Sequence, residues 1–415
     1  MPVLGGGVVV LFGVLAVGFL ALPKDSQVFE YLASPGERQV GRLIGLAGFA
    51  LGVTFLGVLT SVEAFGMPVI VFVVAVTIVA AGMLLEALVD KRIVRPERRT
   101  LGFTAGGAVV GGMIYVLFTT VGYGMGATMG VFLICVGAVA AGLFRSAFGY
   151  GEDPLLVVGV GLLLWLLSTI GVGVGIRYVV GAVVLTSALG GIAYVLAIAS
   201  VPGMLSGVLL ALITLVYGGV GWFLVLLSFF GIGGLATKYR YDEKAVRGVA
   251  EDHEGARGTG NVLGNSLVAL AAVIGYAAVD QIDAVEQALL ALAFTGAVAT
   301  ALADTLSSEI GSLYDRPKLV TTLKPVQPGT DGAITLEGTL AGVGGATIVA
   351  GLTVALFGDI WLAGGVIIIF AGTLGMFADS ILGATIEDEW VGNAGVNLLA
   401  TLVGAAFAST IWMVV

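Results

Sequence analysis

The chain has 415 residues, of which 58% are hydrophobic and 11% charged, with 18 Lys and Arg against 27 Asp and Glu. At a mean hydropathy of +1.10, charge this sparse cannot cover a water-soluble surface, which excludes a cytosolic globular enzyme. A single cysteine (Cys135) excludes a disulfide scaffold, and a net charge of −9 without a sustained basic block speaks against nucleic acid.

Apolar runs of the roughly 20 residues that a crossing helix needs begin near 3–22, 41–61, 67–88, 100–121, 127–147, 155–172 and 176–197. The first has no charge before Lys24 and no small-residue cleavage site, so it is expected to be a retained helix rather than a signal peptide. Glu86, close to the basic loop Lys91–Arg99, is expected to snorkel towards water. Residues 203–236 are apolar for too long to be one span, and the glycines of Tyr217–Trp222 predict a break between two helices. Further runs lie near 261–279, 284–305, 335–357, 361–384 and 394–415. The expected fold is an all-α polytopic membrane protein with about fourteen spans (12–14), its 66 glycines suiting close helix packing.

Lys and Arg collect on the cytoplasmic side of membrane proteins. With the basic 91–99 loop inside and sides alternating at each span, loops 23–40, 235–260 and 312–334 also fall inside. Every Lys and Arg except Arg177 is then cytoplasmic, and the acidic turn Asp280–Asp283 faces out. Both termini face out, in a multi-pass protein of the cell membrane. A single helix at 203–236 would reverse the later loops. The pI near 4.7 suits either a salt-adapted source or ordinary acidic loops.

Residues 1–177 form spans of Val, Leu, Gly, Ala and Phe, with charges in loops or near helix ends. From about 178 onward polar residues enter the spans, where they are expensive and mark candidate sites. The expected division is an accessory region at 1–177 and a catalytic membrane domain at 178–415.

Four features carry the chemistry. Arg257 leads into Asn261 and Asn265, four apart on one helical face. Asp304, Ser307, Ser308 and Gly311 form a polar stripe, and Glu309 points partly away from it towards water. Gly375, Asp379 and Gly383 share another face, and Asn393 and Asn397 open the last span. All four features fall near cytoplasmic helix ends. The order of an Asn pair, two Asp helices and an Asn pair is mirror-like, so the Asp helices are expected to face each other. Between them runs a turn-rich loop with Arg316, Lys318, Lys324, Gly329, Thr330, Asp331 and Gly332. Its glycines and lysines suit phosphate oxygens.

Bland readings stand beside these. Asn393 could simply cap its helix, and Ser307 and Ser308 could bond back to their own turn. Lys238, Arg240, Lys244 and Arg247 could merely hold their loop inside. Asp304 and Asp379 have no cation near them on their own helices and call for a metal, a proton or a water-filled cleft. His253 is the lone histidine, which excludes a His-based zinc site.

Residues 178–415 resemble the integral-membrane family that includes the chloroplast phytyl-phosphate kinase. The resemblance rests on Gly221-Trp222-Phe223 to Arg240, Gly260–Asn265, Ala303–Gly311, Leu319–Thr322 with Pro328–Thr335, Asp379–Thr385 and Val396–Leu399. It departs from the family where Asn261 replaces a common Gln, and at Ala333-Ile334-Thr335. The resemblance implies phosphoryl transfer from a nucleoside triphosphate such as CTP or ATP to an isoprenoid (polyprenyl) monophosphate in the bilayer. For that activity Mg2+ is expected on Asp304 and Asp379, with Glu309 or Asp331 assisting, and phosphates on Arg257, Lys318, Lys324 and the 329–332 turn. Transfer of this kind asks for positioning and charge neutralisation, usually through magnesium on carboxylates. The alternative is a secondary transporter or lipid translocator using the same carboxylates as ion or proton sites.

Overall fold

The computed structural model describes residues 2–33, 35–88, 95–147, 153–250, 257–279, 287–358, 360, 362–387 and 390–415. Lys91, Arg92, His253 and the acidic turn 280–283 lie outside the described residues. Thirteen helices among those described are long and apolar enough to cross a membrane, and Gly6–Ala21 adds a shorter apolar helical stretch. The protein is an all-α polytopic membrane protein.

The chain divides into two compact units, Met1–Val183 and Val184–Val415. The first contains α1 (Pro2–Ala21), α2 (Gln27–Leu32), α3 (Pro35–Val40), α4 (Ile44–Ser61), α5 (Val69–Leu88), α6 (Pro96–Thr120), α7 (Ala127–Ala147) and α8 (Asp153–Ile170). The boundary falls within α9 (Ile176–Val195). In the first unit α5 packs on α6, and Gly107 gives the reason: a Cβ there would lie 2.8 Å from the Ile78 carbonyl oxygen. Glu86 does not snorkel. The Arg145 Nε donates to it at 2.8 Å, and Nη1 donates to Asp153 at 3.3 Å. With three helix ends to close at one point, the carboxylate gains more from the guanidinium than from water.

The second unit runs through α10 (Val201–Gly218), α11 (Val220–Lys238), the short α12 (Tyr241–Val246), α13 (Thr259–Ala277) and α14 (Gln287–Gly311). Strands β1 (Lys318–Leu319) and β2 (Ala333–Ile334) follow, then α15 (Leu336–Leu356), α16 (Leu362–Ile386) and α17 (Asn393–Trp412). The long apolar run breaks at Gly219, whose φ of +83° lies in the region glycine favours.

α14 is the shared wall of this unit, contacted by α11, α13, α15, α16 and α17. Its middle carries Gly296, Ala297, Ala299, Thr300, Ala301 and Ala303, small residues that let five neighbours approach closely. Partner glycines complete the fit. A Cβ on Gly338 would sit 2.5 Å from the Ser307 carbonyl oxygen, and one on Gly296 would sit 2.7 Å from that of Gly404. The hydroxyls of Thr295 and Thr300 are satisfied within α14 by the Ala291 and Gly296 carbonyls. Because successive spans alternate in direction, α11, α14 and α16 end where α10, α13, α15 and α17 begin. All the polar motifs gather at that end.

Candidate functional site

At this end lies a cavity of about 380 Å³, lined by Arg257, Asn261, Asn265, Asp304, Ser307, Ser308, Glu309, Gly329, Thr330, Asp331, Gly332, Asp379, Asn393 and Asn397, among others. Four motifs far apart in sequence therefore share one space. Lys318 and Lys324 do not join them. Both are exposed and stand outside the lining, because the chain folds back on itself there: the Leu319 amide donates to the Lys324 carbonyl, and Lys318 bridges to Pro325. The turn is also less open than a bare phosphate cradle. The Thr330 amide donates to Gln327, and that of Ala333 donates to Thr330.

Asp304 leaves the last turns of α14 and Asp379 those of α16, and their carboxyl groups meet within hydrogen-bonding reach. Asp379 Oδ2 is buried without a hydrogen-bond partner among the described residues. Like charges this close require a cation or a shared proton between them. Gly332, with φ +73°, lays the turn directly on α16: a Cβ there would come within 2.5 Å of Ala384 Cβ.

Among the described residues Arg257 is the only cation in the lining. Its backbone is fixed between the N-terminus of α10 and the segment before it. The amide donates to the Ile198 carbonyl at 3.0 Å, and the carbonyl accepts from Ser200 N and Oγ, both at 3.2 Å. The side chain is buried, with its guanidinium 5.0 Å from the Phe229 ring centroid. Gly233 makes room for it, since a Cβ there would lie 2.7 Å from Nη2.

The Asn pairs stand on neighbouring helices, since a Cβ on Gly264 would lie 2.6 Å from the Ala394 carbonyl oxygen. Asn397 Nδ2 donates to Asn393 Oδ1 at 3.1 Å, and Asn265 Nδ2 donates to the Asn261 carbonyl at 3.0 Å. Asn393 is not the cap of α17; Gly392 is, with no side-chain capping bond. Gly258 plays the same part for α13. Ser308 bonds back to the Asp304 carbonyl at 3.0 Å while lining the cavity.

Glu309 departs from its sequence reading. It is buried rather than near water, and its Oε2 accepts from Lys244 Nζ at 2.5 Å. Lys244, which positive-inside bookkeeping treats as a loop charge, is 1% exposed. Nothing in the local sequence marks it for burial. Glu387 also lines the cavity; its signal was legible, as Asp379, Gly383 and Glu387 are spaced four apart on one helical face.

Among the described residues no group of three or more His, Cys, Asp or Glu forms a metal cage. Magnesium does not need one, because it binds through one or two carboxylates and completes its shell with water and substrate phosphates. Asp304 together with the unpartnered Asp379 Oδ2 suits that demand. Glu309, held by Lys244, does not add to it.

A model of the family described as integral membrane protein DUF92 matches residues 184–405. The chain is 36% identical over 203 residues to an uncharacterised membrane protein of Synechocystis sp., covering 47% of this chain and 76% of that one. It is also 36% identical over 221 residues to an uncharacterised membrane protein of Methanocaldococcus jannaschii, covering 51% and 84%. Protein VTE6 of Arabidopsis thaliana, which is chloroplastic, is 35% identical over 198 residues, covering 46% and 58%. No solved structure matches. The family match takes in every motif that lines the cavity, and the chain belongs to the DUF92 family of integral membrane proteins.

Proposed function

We propose that the second unit transfers a phosphoryl group from a nucleoside triphosphate to a polyprenyl monophosphate, at the cytoplasmic face of the membrane. The observation that carries this reading is the meeting of Asp304 and Asp379 beneath the Pro328–Gly332 turn, in a polar cavity at one end of an apolar bundle. A carboxylate pair serving transport is expected near mid-membrane, whereas this one gathers with every other polar motif at the helix ends. The similarity to protein VTE6, and to the family that includes phytyl-phosphate kinase, supports the same reading.

The attacking oxygen of a prenyl monophosphate is already anionic, so no general base is required. The burden falls on bringing two anionic groups together and neutralising charge. Arg257 supplies a fixed guanidinium whose fork suits phosphate oxygens. α13 and α17 direct their positive N-terminal ends at the cavity, and no side chain caps either helix. The Asn261–Asn265 and Asn393–Asn397 pairs, on adjoining helices, would orient the substrate phosphates. Asp304 and Asp379 would hold Mg2+, which would supply charge neutralisation during transfer. The prenyl tail would extend into the bilayer, leaving only its phosphate in the polar end.

The test is Asp304→Asn and Asp379→Asn, each purified in detergent and supplied with radiolabelled CTP or ATP and geranylgeranyl or phytyl phosphate. Both are expected to lose diphosphate formation while remaining folded. Turnover retained by both variants would refute the assignment.

A further inference from the structure

Lys244 has no part in the scheme above, yet it is among the most completely buried charged groups in the protein. Its ammonium donates to the Ala236 carbonyl at 3.1 Å, to the Thr237 carbonyl at 2.7 Å and to Glu309 Oε2 at 2.5 Å. These three bonds use all three protons. Two of them satisfy carbonyls at the C-terminal end of α11, where a helix leaves such groups unpaired and its dipole favours a cation. The third crosses to the last turn of α14. One ammonium thus ties together two helix ends and the segment that carries it.

That segment continues straight to the cavity. Gly248, with φ +72°, turns the chain after α12, and Gly248, Val249 and Ala250 line the cavity wall. Val249 lies against the Pro-Gly-Thr-Asp-Gly turn: a Cβ on Gly329 would come within 3.0 Å of Val249 Cγ1. On the far side Arg247 donates to Asp315 at 3.2 Å, in the loop that follows α14. Residues 241–250 form a strap from α11 across to the turn above Asp304 and Asp379. Its one buried polar anchor is Lys244.

We propose that Lys244 is a positioning residue: it clamps the 241–250 strap onto Glu309, fixes the cavity wall beside the transferring phosphate, and keeps water from competing with the prenyl phosphate. The consequence for chemistry rests on the phosphoryl-transfer reading, whereas the clamp itself does not. When water takes the acceptor's place, the triphosphate yields diphosphate and inorganic phosphate. A loosened strap therefore shifts turnover from transfer towards hydrolysis. A merely structural lysine would lower both products in parallel.

Lys244→Met strands a buried carboxylate, which is strongly destabilising. Lys244→Met with Glu309→Gln removes both charges and keeps the fold accessible to measurement. In each background Val249→Cys, with Cys135→Ala, reports the strap by its rate of thiol labelling in detergent. In the double variant labelling is expected to accelerate about tenfold or more, the factor expected from loss of one charge-assisted hydrogen bond, and the ratio of inorganic phosphate to prenyl diphosphate is expected to rise. Unchanged labelling in the folded double variant would overturn the clamp, whatever the activity. Faster labelling with both products reduced in parallel would overturn the water-exclusion role. Faster labelling with no transfer even in the parent protein would uphold the clamp and reject the phosphoryl-transfer reading instead.

Discussion

Gly332→Ala tests whether the turn over the carboxylate pair must sit exactly where it does in the fold. Gly332 has φ +73°, a conformation in which a Cβ costs an L-residue about 1–2 kcal/mol. The new methyl would meet Ala384 Cβ at 2.5 Å and Ala384 N at 2.9 Å, and would press on the Ser380 carbonyl. None of these atoms can rotate away. Carbon atoms need roughly 3.5–4 Å, so the turn must retreat from α16 by about 1 Å. A displacement of that size at a reacting centre costs on the order of 100-fold in rate. The expected signature is therefore uneven, with a modest loss of melting temperature in detergent and a far larger loss of kcat/KM for diphosphate formation. Gly344→Ala is the control, since nothing lies within 4 Å of its Cβ position. There alanine raises helix propensity by up to about 1 kcal/mol and leaves turnover unchanged. Wild-type kinetics in a folded Gly332→Ala protein would refute the placement of the turn as a working part.

Two further outcomes follow from packing. Trp222 is buried, with ring centroids 4.7 Å from Tyr276, 4.7 Å from Phe294 and 5.6 Å from Phe357, at the bundle end opposite the cavity. Trp222→Ala is expected to cost about 3–5 kcal/mol by denaturant titration in detergent, with activity per folded molecule unchanged; a loss of turnover without loss of stability would contradict a purely packing role for this ring. Arg145→Met leaves Glu86 and Asp153 without their shared cation and is expected to destabilise by about 3–5 kcal/mol. Adding Glu86→Gln and Asp153→Asn should recover most of that melting temperature, and no recovery would mean that the arginine acts through packing alone.

Much of this architecture is legible in the sequence, because bilayer thickness dictates run length and glycine announces a break. The helices at Val201–Gly218 and Val220–Lys238 divide one apolar run at the residue best able to divide it. The gathering of the polar motifs at one end is legible too, since alternating direction fixes which helix ends are neighbours. Pairings across long separations are not. Glu86 finds Arg145 59 residues later, and Lys244 finds Glu309 65 residues later. A charge count assigns a side of the membrane to each of these cations and cannot see whether a carboxylate waits for it inside the protein. Lys318 and Lys324 fail in the opposite sense. Their spacing near the glycines suggested a shared grip, but the fold-back at Leu319 to Lys324 turns both outward.

The carboxylate pair itself has a mechanical origin in the small residues one turn away. Asp304 follows Thr300 by four residues on α14, and Asp379 follows Gly375 by four on α16. Thr300 and Gly375 are in contact, so tightly that a Cβ on Gly375 would lie 2.8 Å from Thr300 Cβ. A similar approach recurs one turn further back, where a Cβ on Gly372 would lie 2.9 Å from Ala299 Cβ. Two helices held this closely by packing carry their next residues on the same face into contact, whatever those residues are. Burial of the Ala, Thr and Gly surface thus does the holding, and the two acids are forced together against their own repulsion. A carboxylate pair built this way does not depend on a bound cation to form. The glycine at 375 is therefore as much a part of the carboxylate pair as the aspartates are.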